Sequence, residues 1–439
     1  LHLSLRRQRQ MCIRDSLITP THPAPGSTVN TDRPIIAAYY ADPSGIDEAT
    51  LRLLVDGLDR TAQAVYNGQR VYYPSSPLSP GVHTAILTVR DTRANLRAIT
   101  WTFTVTANYT DVLLPSDSTG GGYLALRVFT PPPGAARYPT GAPVVISLPG
   151  ADSSGSLENP FGGYLDDVIV VSFLFPGGCD DGRCSDGTYD HRGPDSIAAL
   201  RDVILYASGL LTDSLGRTLG DVTAVPPHYD NVGLLAESNG GNIAVAMIAQ
   251  YGSLFTDHLR WLVGWENPSN SQLVTVDLGP VKLSCPVGQN FQDNSVNPRY
   301  SAYGPVTLVV TYTDIAYDPT NPQQLIFLDG NGDGQYTLRT LPNGCRTPDL
   351  DGDGVVEADE DLPLAAYGGE GGKRYYSLQA TQAMSQAGIF GGSWPITIAT
   401  VAEADAYWSL RDAARNYVTA TAQLPSLRVL LLFSQRDHV

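Results

Sequence analysis

The sequence contains no apolar run approaching the roughly 20 residues that a membrane-crossing helix needs. It is also short of positive charge. Lys and Arg number 28 against 44 Asp and Glu, a formal net charge of −16. Binding to phosphate backbones requires a basic face, so this balance argues against nucleic acid as a partner. The acidic surface serves solubility instead. Cysteine is scarce, five in 439 residues, and the spacings and the lack of neighbouring His do not suit zinc. Charged residues of both signs make up only 16 % of the chain.

Turn formers and tyrosine are plentiful: 43 Gly, 32 Pro and 23 Tyr. That composition suits a turn-rich extracellular β or α/β protein better than a cytosolic helical one. The length exceeds one ordinary core, so two domains are expected. Residues 1–16 stand apart, with Arg6, Arg7, Arg9 and Arg14 against the single acid Asp15 and no apolar stretch of a signal peptide. The segment resembles translated sequencing-adapter read-through and is expected to be non-native. Beyond Cys12 remain Cys179, Cys184, Cys285 and Cys345, an even number that favours disulfides in an oxidising, secreted setting. Three pairings are possible. The preferred one closes the C-D-D-G-R-C loop with Cys179–Cys184 and staples a later segment with Cys285–Cys345.

Residues 17–107 read as all-β. Short runs at 34–40, 51–56, 71–73, 83–90 and 99–105 are separated by turn signals, and Thr100-Trp101-Thr102-Phe103-Thr104-Val105 alternates cleanly. The S-G-I-D at 44–47, the L-x-V-D-G at 53–57 and the closing W-T-F-T-V resemble bacterial immunoglobulin-like modules attached to secreted enzymes. Such a module is expected to be a spacer, with contact to a surface or polysaccharide as the alternative. From about 108 the pattern changes to alternating strands and helices. Strands are expected at 123–130, 143–148, 167–175, 232–236 and 260–266, and helices at 196–209 and 240–251. This order implies a doubly wound, mostly parallel sheet. Residues 270 to about 390 break it and read as an insertion, with β-like runs at 306–312 and 324–328 and a helix at 377–386. A helix at 403–416 then leads into an apolar strand at 427–433.

The most informative segment is Ala236-Glu237-Ser238-Asn239-Gly240, where a buried strand turns directly into a helix. This is the strand–turn–helix context of G-x-S-x-G, with Ala for the first Gly. A serine exposed on a strained turn needs small residues two positions to either side, because the chain passes too close for larger ones. Together with S-L-P-G-A (147–151) and D-H-R-G-P-D-S (190–196), the A-E-S-N-G-G segment resembles the secreted α/β-hydrolase superfamily, near its dienelactone hydrolase and prolyl oligopeptidase branches. The resemblance implies an α/β-hydrolase domain over 108–439 and Ser238 as nucleophile. It implies an oxyanion hole from the backbone N–H of Asn239 and a second N–H near Gly150 or Ala151. It implies an acid after a late strand, Asp437 first and Glu266 as runner-up.

The family order places a His after that acid, but only His438 follows Asp437 before the chain stops at Val439. The expectation is that the sequence is truncated before its catalytic His, and that this chain is a poor hydrolase. His191 and His228 precede the nucleophile and are read as ordinary surface or loop histidines, with a stand-in role for the missing base as the alternative.

Two acidic loops fall in the insertion. The segment from Asp349 to Glu360 matches the twelve-residue calcium loop, with Asp349, Asp351 and Asp353 at positions 1, 3 and 5 and Gly354 at the turn. The Val355 carbonyl stands at 7, Glu357 at 9 and Glu360 at 12. Asp329, Asn331, Asp333 and Gln335 begin a second, weaker match that has Thr340 where Glu belongs. The loops start too close together for paired helix–loop–helix units, and Pro348 and Pro363 leave little room for flanking helices. Structural Ca2+ is expected rather than a sensor. The function expected is a secreted serine hydrolase of a small-molecule ester, or a peptide, through an acyl-enzyme on Ser238. The rival is a non-catalytic, calcium-stabilised surface or adhesion protein on the same scaffold.

Overall fold

The computed structural model describes residues 17–433 except 30–33, 67, 76–77, 107–108, 132–139, 162–166, 268–313, 319–325, 341, 343, 345, 348–360, 365, 367–371 and 388–396. Cys12, Cys285, Cys345, Asp437, His438, the 306–312 run and the calcium loop from Asp349 to Glu360 therefore lie outside the described residues.

The N-terminal part is a two-sheet β-sandwich. One sheet orders Leu17–His22, Ile35–Ala41, Arg70–Pro74 and Val65–Tyr66; the other orders Thr28–Val29, Leu96–Val105, Gly81–Asp91, Ile46–Val55 and Leu58–Asp59. Alternation along the strands sends one face of each sheet inward, where Ile36, Tyr40, Leu53, Leu87, Trp101 and Phe103 share a core.

The second part is built on a mixed sheet. Its main strands are β1 (Tyr109–Pro115), β2 (Tyr123–Phe129), β3 (Ala142–Leu148), β4 (Ile169–Leu174), β5 (Pro227–Glu237), β6 (Leu259–Trp265) and β7 (Arg428–Leu432), with the two-residue Gly155–Ser156 paired antiparallel to β4. The spatial order is β1-β2-β4-β3-β5-β6-β7. The β1–β2 and β2–β4 pairs are antiparallel, and every pair from β4 to β7 is parallel. All of β4 and six of seven residues of β3 are buried. A parallel strand covered on both faces must be apolar throughout, which is why these runs stood out in the sequence.

The helices are α1 (Pro194–Ala207), the short α2 (Leu219–Val222), α3 (Gly240–Tyr251), α4 (Leu378–Gln386), α5 (Val401–Arg411) and α6 (Ala413–Gln423). α3 is buried over its first ten residues and packs against α1 and α6. The single helix expected over 403–416 is two. Asp412 takes an extended conformation and its side chain caps α6 by accepting from the Ala414 N–H at 2.9 Å. Before the break, Arg411 is drawn towards the carbonyls of Asp190 and His191.

The connection from β6 to β7 is the long one, as the insertion required. Its described portion includes a small antiparallel sheet of Ile315–Tyr317, Ile326–Leu328 and Leu362–Pro363. Cys179 and Cys184 form the expected disulfide across a hairpin. β7 ends the sheet order, and Val429, Leu430, Leu431, Leu432 and Phe433 are all exposed. Among the described residues no helix is long and apolar enough to cross a membrane.

Candidate active site

The chain runs from β3 out to β4 on one side and later returns to β5 on the other, so β3 and β5 flank a switch point. In open α/β sheets the crevice beyond the carboxyl ends of such strands is where ligands bind. Leu148 pairs with Ala236. The loop Pro149-Gly150-Ala151 after β3 and the turn Ser238-Asn239 after β5 therefore leave the sheet side by side.

Ser238 has φ 45°, in the left-handed region that a non-glycine residue rarely occupies. Its N–H donates to the Trp265 carbonyl at 2.8 Å, and its carbonyl accepts from the Gly241 N–H at 3.0 Å. The turn is crowded. A Cβ on Gly150 would lie 2.9 Å from the Cβ of Ser238, and one on Gly240 would lie 2.6 Å from the Leu148 carbonyl oxygen. The glycine at 240 is thus explained by close approach of α3 to β3. Among the described residues eight non-glycine residues have positive φ, and six of them stand in connections that follow parallel strands: Ala151, Asp181, His191, Arg192, Ser238 and Glu266. Strain of this kind costs about 1–3 kcal/mol per residue and persists only where surrounding contacts over-determine it.

Those contacts are visible. Asn267 is buried, and its Nδ2 donates to the carbonyls of Ser238 at 2.6 Å and Ala236 at 3.1 Å. Added Cβ atoms at Gly241 and Gly264 would strike it at 2.4 and 1.7 Å. Asn239 Nδ2 donates to the Ala151 carbonyl at 3.0 Å, tying the elbow to the loop after β3. Asn242 Nδ2 donates to Asn239 Oδ1, and Asn242 Oδ1 accepts from the Ala413 N–H. Asn239 stands at the start of α3, tied in this way to the loop carrying Gly150 and Ala151.

A second layer wraps the β3 loop. Arg192 donates to the carbonyls of Pro149 at 2.9 Å and Ser153 at 2.8 Å, and the Tyr189 hydroxyl donates to Asp152 and to the Ser153 carbonyl. Burial pushes the Tyr189 hydroxyl well above its ordinary pKa, so it stays a neutral donor. His191 Nδ1 pairs with Asp152 Oδ2 at 2.6 Å, half-exposed. Arg411 donates to the carbonyls of Asp190 and His191, and Asp190 caps the first turn of α1 through the N–H groups of Gly193 and Asp195.

His228 sits at the start of β5, facing Thr140 at 3.0 Å. That is the far end of the strand from Ser238, roughly 30 Å away at about 3.3 Å per residue. His191, by contrast, pairs through Nδ1 with Asp152, which follows Gly150 by two residues in the loop after β3. Glu266 follows β6, and its N–H donates to the Leu432 carbonyl. It is therefore at the same end of the sheet as Ser238. Asp437, the first-choice acid, lies beyond the described part of the strand that pairs with β6. Sequence reasoning missed Asn267, Asp152 and the bracing by Arg192 and Arg411. Asn267 lies in W-E-N-P (265–268) and Arg192 in D-H-R-G-P-D-S, Asp152 just follows S-L-P-G-A and Arg411 ends α5, but their roles lie in contacts between distant segments.

Of the acidic loops, the weaker one is described. It follows Ile326–Leu328, with the N–H groups of Gly332 and Asp333 donating to Asp329 Oδ1 and that of Gly334 to Oδ2.

No family model matches the chain, and no curated protein matches it in sequence. Among solved structures it is similar to a hyperthermophilic esterase from Pyrobaculum calidifontis, at 16 % identity and TM-score 0.24, over 41 % of this chain and 47 % of that one. A thermophilic carboxylesterase cloned from a metagenomic library matches at 16 % identity and TM-score 0.26, over 45 % and 60 % respectively. CopC from Methylosinus trichosporium matches at 14 % identity and TM-score 0.17, over 20 % of this chain and 94 % of that one. The matched part spans about half the length of the two esterases.

Proposed function

We propose that the protein is a serine hydrolase that cleaves an ester of a small molecule, with an amide as the less favoured substrate. One observation carries the reading: Ser238 is held at positive φ on a crowded turn at the switch point, against the Gly150 loop and at the N-terminus of α3. The Ser238 Oγ attacks the acyl carbon while an imidazole takes its proton. The carbonyl oxygen becomes an oxyanion facing the N–H of Asn239 and that of Ala151, which are fixed in place before charge develops. Collapse expels the alcohol with the imidazole's proton and leaves an acyl group on Ser238. Water then repeats the sequence and releases the acid.

An acid orients the imidazole, Asp437 in this reading with Glu266 second. A serine hydroxyl is a weak nucleophile without a base. Two sources for that base are distinguishable: a His following Asp437 in the family order, or His191 on Asp152. Secretion and calcium held from Asp349 to Glu360 belong to the same proposal. They are supported by the Cys179–Cys184 disulfide and by the match to the calcium loop. A spacer role is proposed for the sandwich, whose likeness to immunoglobulin-like modules rests on its two-sheet strand pattern.

The test is turnover of an activated ester by wild type and Ser238→Ala. Loss of turnover with folding retained supports the reading. Equal turnover removes Ser238 from the mechanism and favours the non-catalytic surface protein.

A further inference from the structure

The loop from Asp329 to Gln335 supplies oxygens at positions 1, 3, 5 and 7 of a calcium loop, but Thr340 leaves it without the final carboxylate. The fold brings one from elsewhere. Ile326–Leu328 pairs antiparallel with Leu362–Pro363, Leu328 opposite Leu362. One residue further along the pair, Asp329 and Asp361 come side by side, and directly opposed residues of an antiparallel pair share a face.

Asp361 is fully buried, 0 % exposed. Its Oδ2 accepts from the Thr337 N–H at 2.7 Å, just past the loop's exit, while its Oδ1 has no partner among the described residues. The Asp329 and Asp333 carboxylates are close enough to act on it electrostatically, and both are repulsive. A second buried acid, Asp318, holds the neighbouring Tyr336 N–H. The Asp329 and Asp333 carboxylates accept from the loop's own N–H groups, but that does nothing for Asp361. A buried carboxylate with one oxygen unmet and two like charges beside it is costly unless a cation joins the group.

We propose that Asp361 completes a divalent-cation site with Asp329, Asn331, Asp333 and the Gln335 carbonyl, standing where the loop's own final acid is missing. An all-oxygen set of carboxylates, an amide and a carbonyl suits Ca2+ better than the smaller, stricter Mg2+. Among the described residues no three acid or His side chains already converge as a finished metal site. The ion must therefore draw Asp329, Asp333 and Asp361 together.

The experiment is calcium titration by calorimetry, together with melting in calcium and in chelator. It uses the full chain carrying Asp351→Ala and Glu360→Gln to silence the other loop. This parent should retain one calcium, and adding Asp361→Asn should weaken its binding about tenfold or more. Melting gives the second reading. In chelator Asp361→Asn should melt at or above its parent, because an uncompensated charge is gone. In calcium it should melt below its parent.

A parent that binds no calcium overturns the proposal, and so does Asp361→Asn with unchanged affinity. An equal fall in melting temperature with and without calcium also overturns it, by reducing Asp361 to a structural acid. If the parent fails to fold, Asp361→Asn in the otherwise native chain must lower the stoichiometry by one. An unchanged stoichiometry there is equally fatal.

Discussion

Asn267→Ala should damage both the stability of the fold and the reactivity of Ser238. The amide donates to the carbonyls of Ser238 and Ala236 from a buried position. Each lost hydrogen bond is worth about 1 kcal/mol net, and a buried carbonyl left poorly satisfied adds about 1–3 kcal/mol. The Ser238 carbonyl keeps its bond from the Gly241 N–H, so only part of the second penalty applies. The expected cost is about 2–4 kcal/mol. The turn at Ser238 also loses one of the contacts that holds φ at 45°. A displacement of about 1 Å at a reacting atom costs on the order of 100-fold in rate.

Asn267→Asp sharpens the argument by adding a sign. An ionised carboxylate can only accept, and it would face two carbonyl oxygens from a buried position, so its folded pKa is raised above the unfolded value. The destabilisation is then full above the folded pKa and is relieved as pH falls through it, because the protonated acid can donate again. Urea melts at several pH values, paired with the rate of fluorophosphonate labelling per folded molecule, read both effects. A change of under about 0.5 kcal/mol in Asn267→Ala, a surface-like value, with Ser238 labelling unchanged, would refute this role for Asn267.

Gly150→Ala should cost activity more than stability, since its Cβ would press on Ser238 Cβ at 2.9 Å and on the Glu237 carbonyl at 3.2 Å; a labelling rate equal to wild type would contradict it. Calcium should raise the melting temperature by mass action on the folded state, with Asp351→Ala and Glu360→Gln removing most of the part owed to the second loop; indifference to chelator in wild type would reduce both loops to acidic surface. Leu431→Lys on the exposed edge strand β7 should reduce self-association in sedimentation, because charge on an edge discourages strand pairing; unchanged association would place the contact elsewhere.

The sheet was legible in the sequence where burial made the strands distinctive. Ala142–Leu148 and Ile169–Leu174 are covered on both faces and read as unbroken apolar runs, and α3 was bounded correctly at Gly240 and Tyr251 because the elbow and a following Gly mark its ends. β1 was missed. It is an outer antiparallel strand with mixed burial, so Tyr109–Pro115 carries little periodic signal. The break at Asp412 was missed because alanines on both sides favour helix, whereas the pull on Arg411 is tertiary. At the candidate site, the strand–turn–helix at Ser238 was legible from the small residues around it together with the β/α order on either side. Asn267 and Asp361 were not, because each acts through partners about 24 to 31 residues away in sequence. His191 stood in plain view, but its pairing with Asp152, 39 residues earlier, exists only once the two loops fold together.

The central claim is that Ser238 is a nucleophile, and mass spectrometry of a fluorophosphonate-treated protein tests it most directly. The reagent is applied to the 439-residue chain beside its Ser238→Ala and His191→Gln variants. The predicted result is one adduct, on the peptide carrying Ser238, absent from Ser238→Ala. Labelling that falls with His191→Gln assigns the base to His191, and labelling that does not fall places the base elsewhere. No adduct on Ser238, or equal labelling of Ser238→Ala, would contradict a nucleophilic Ser238.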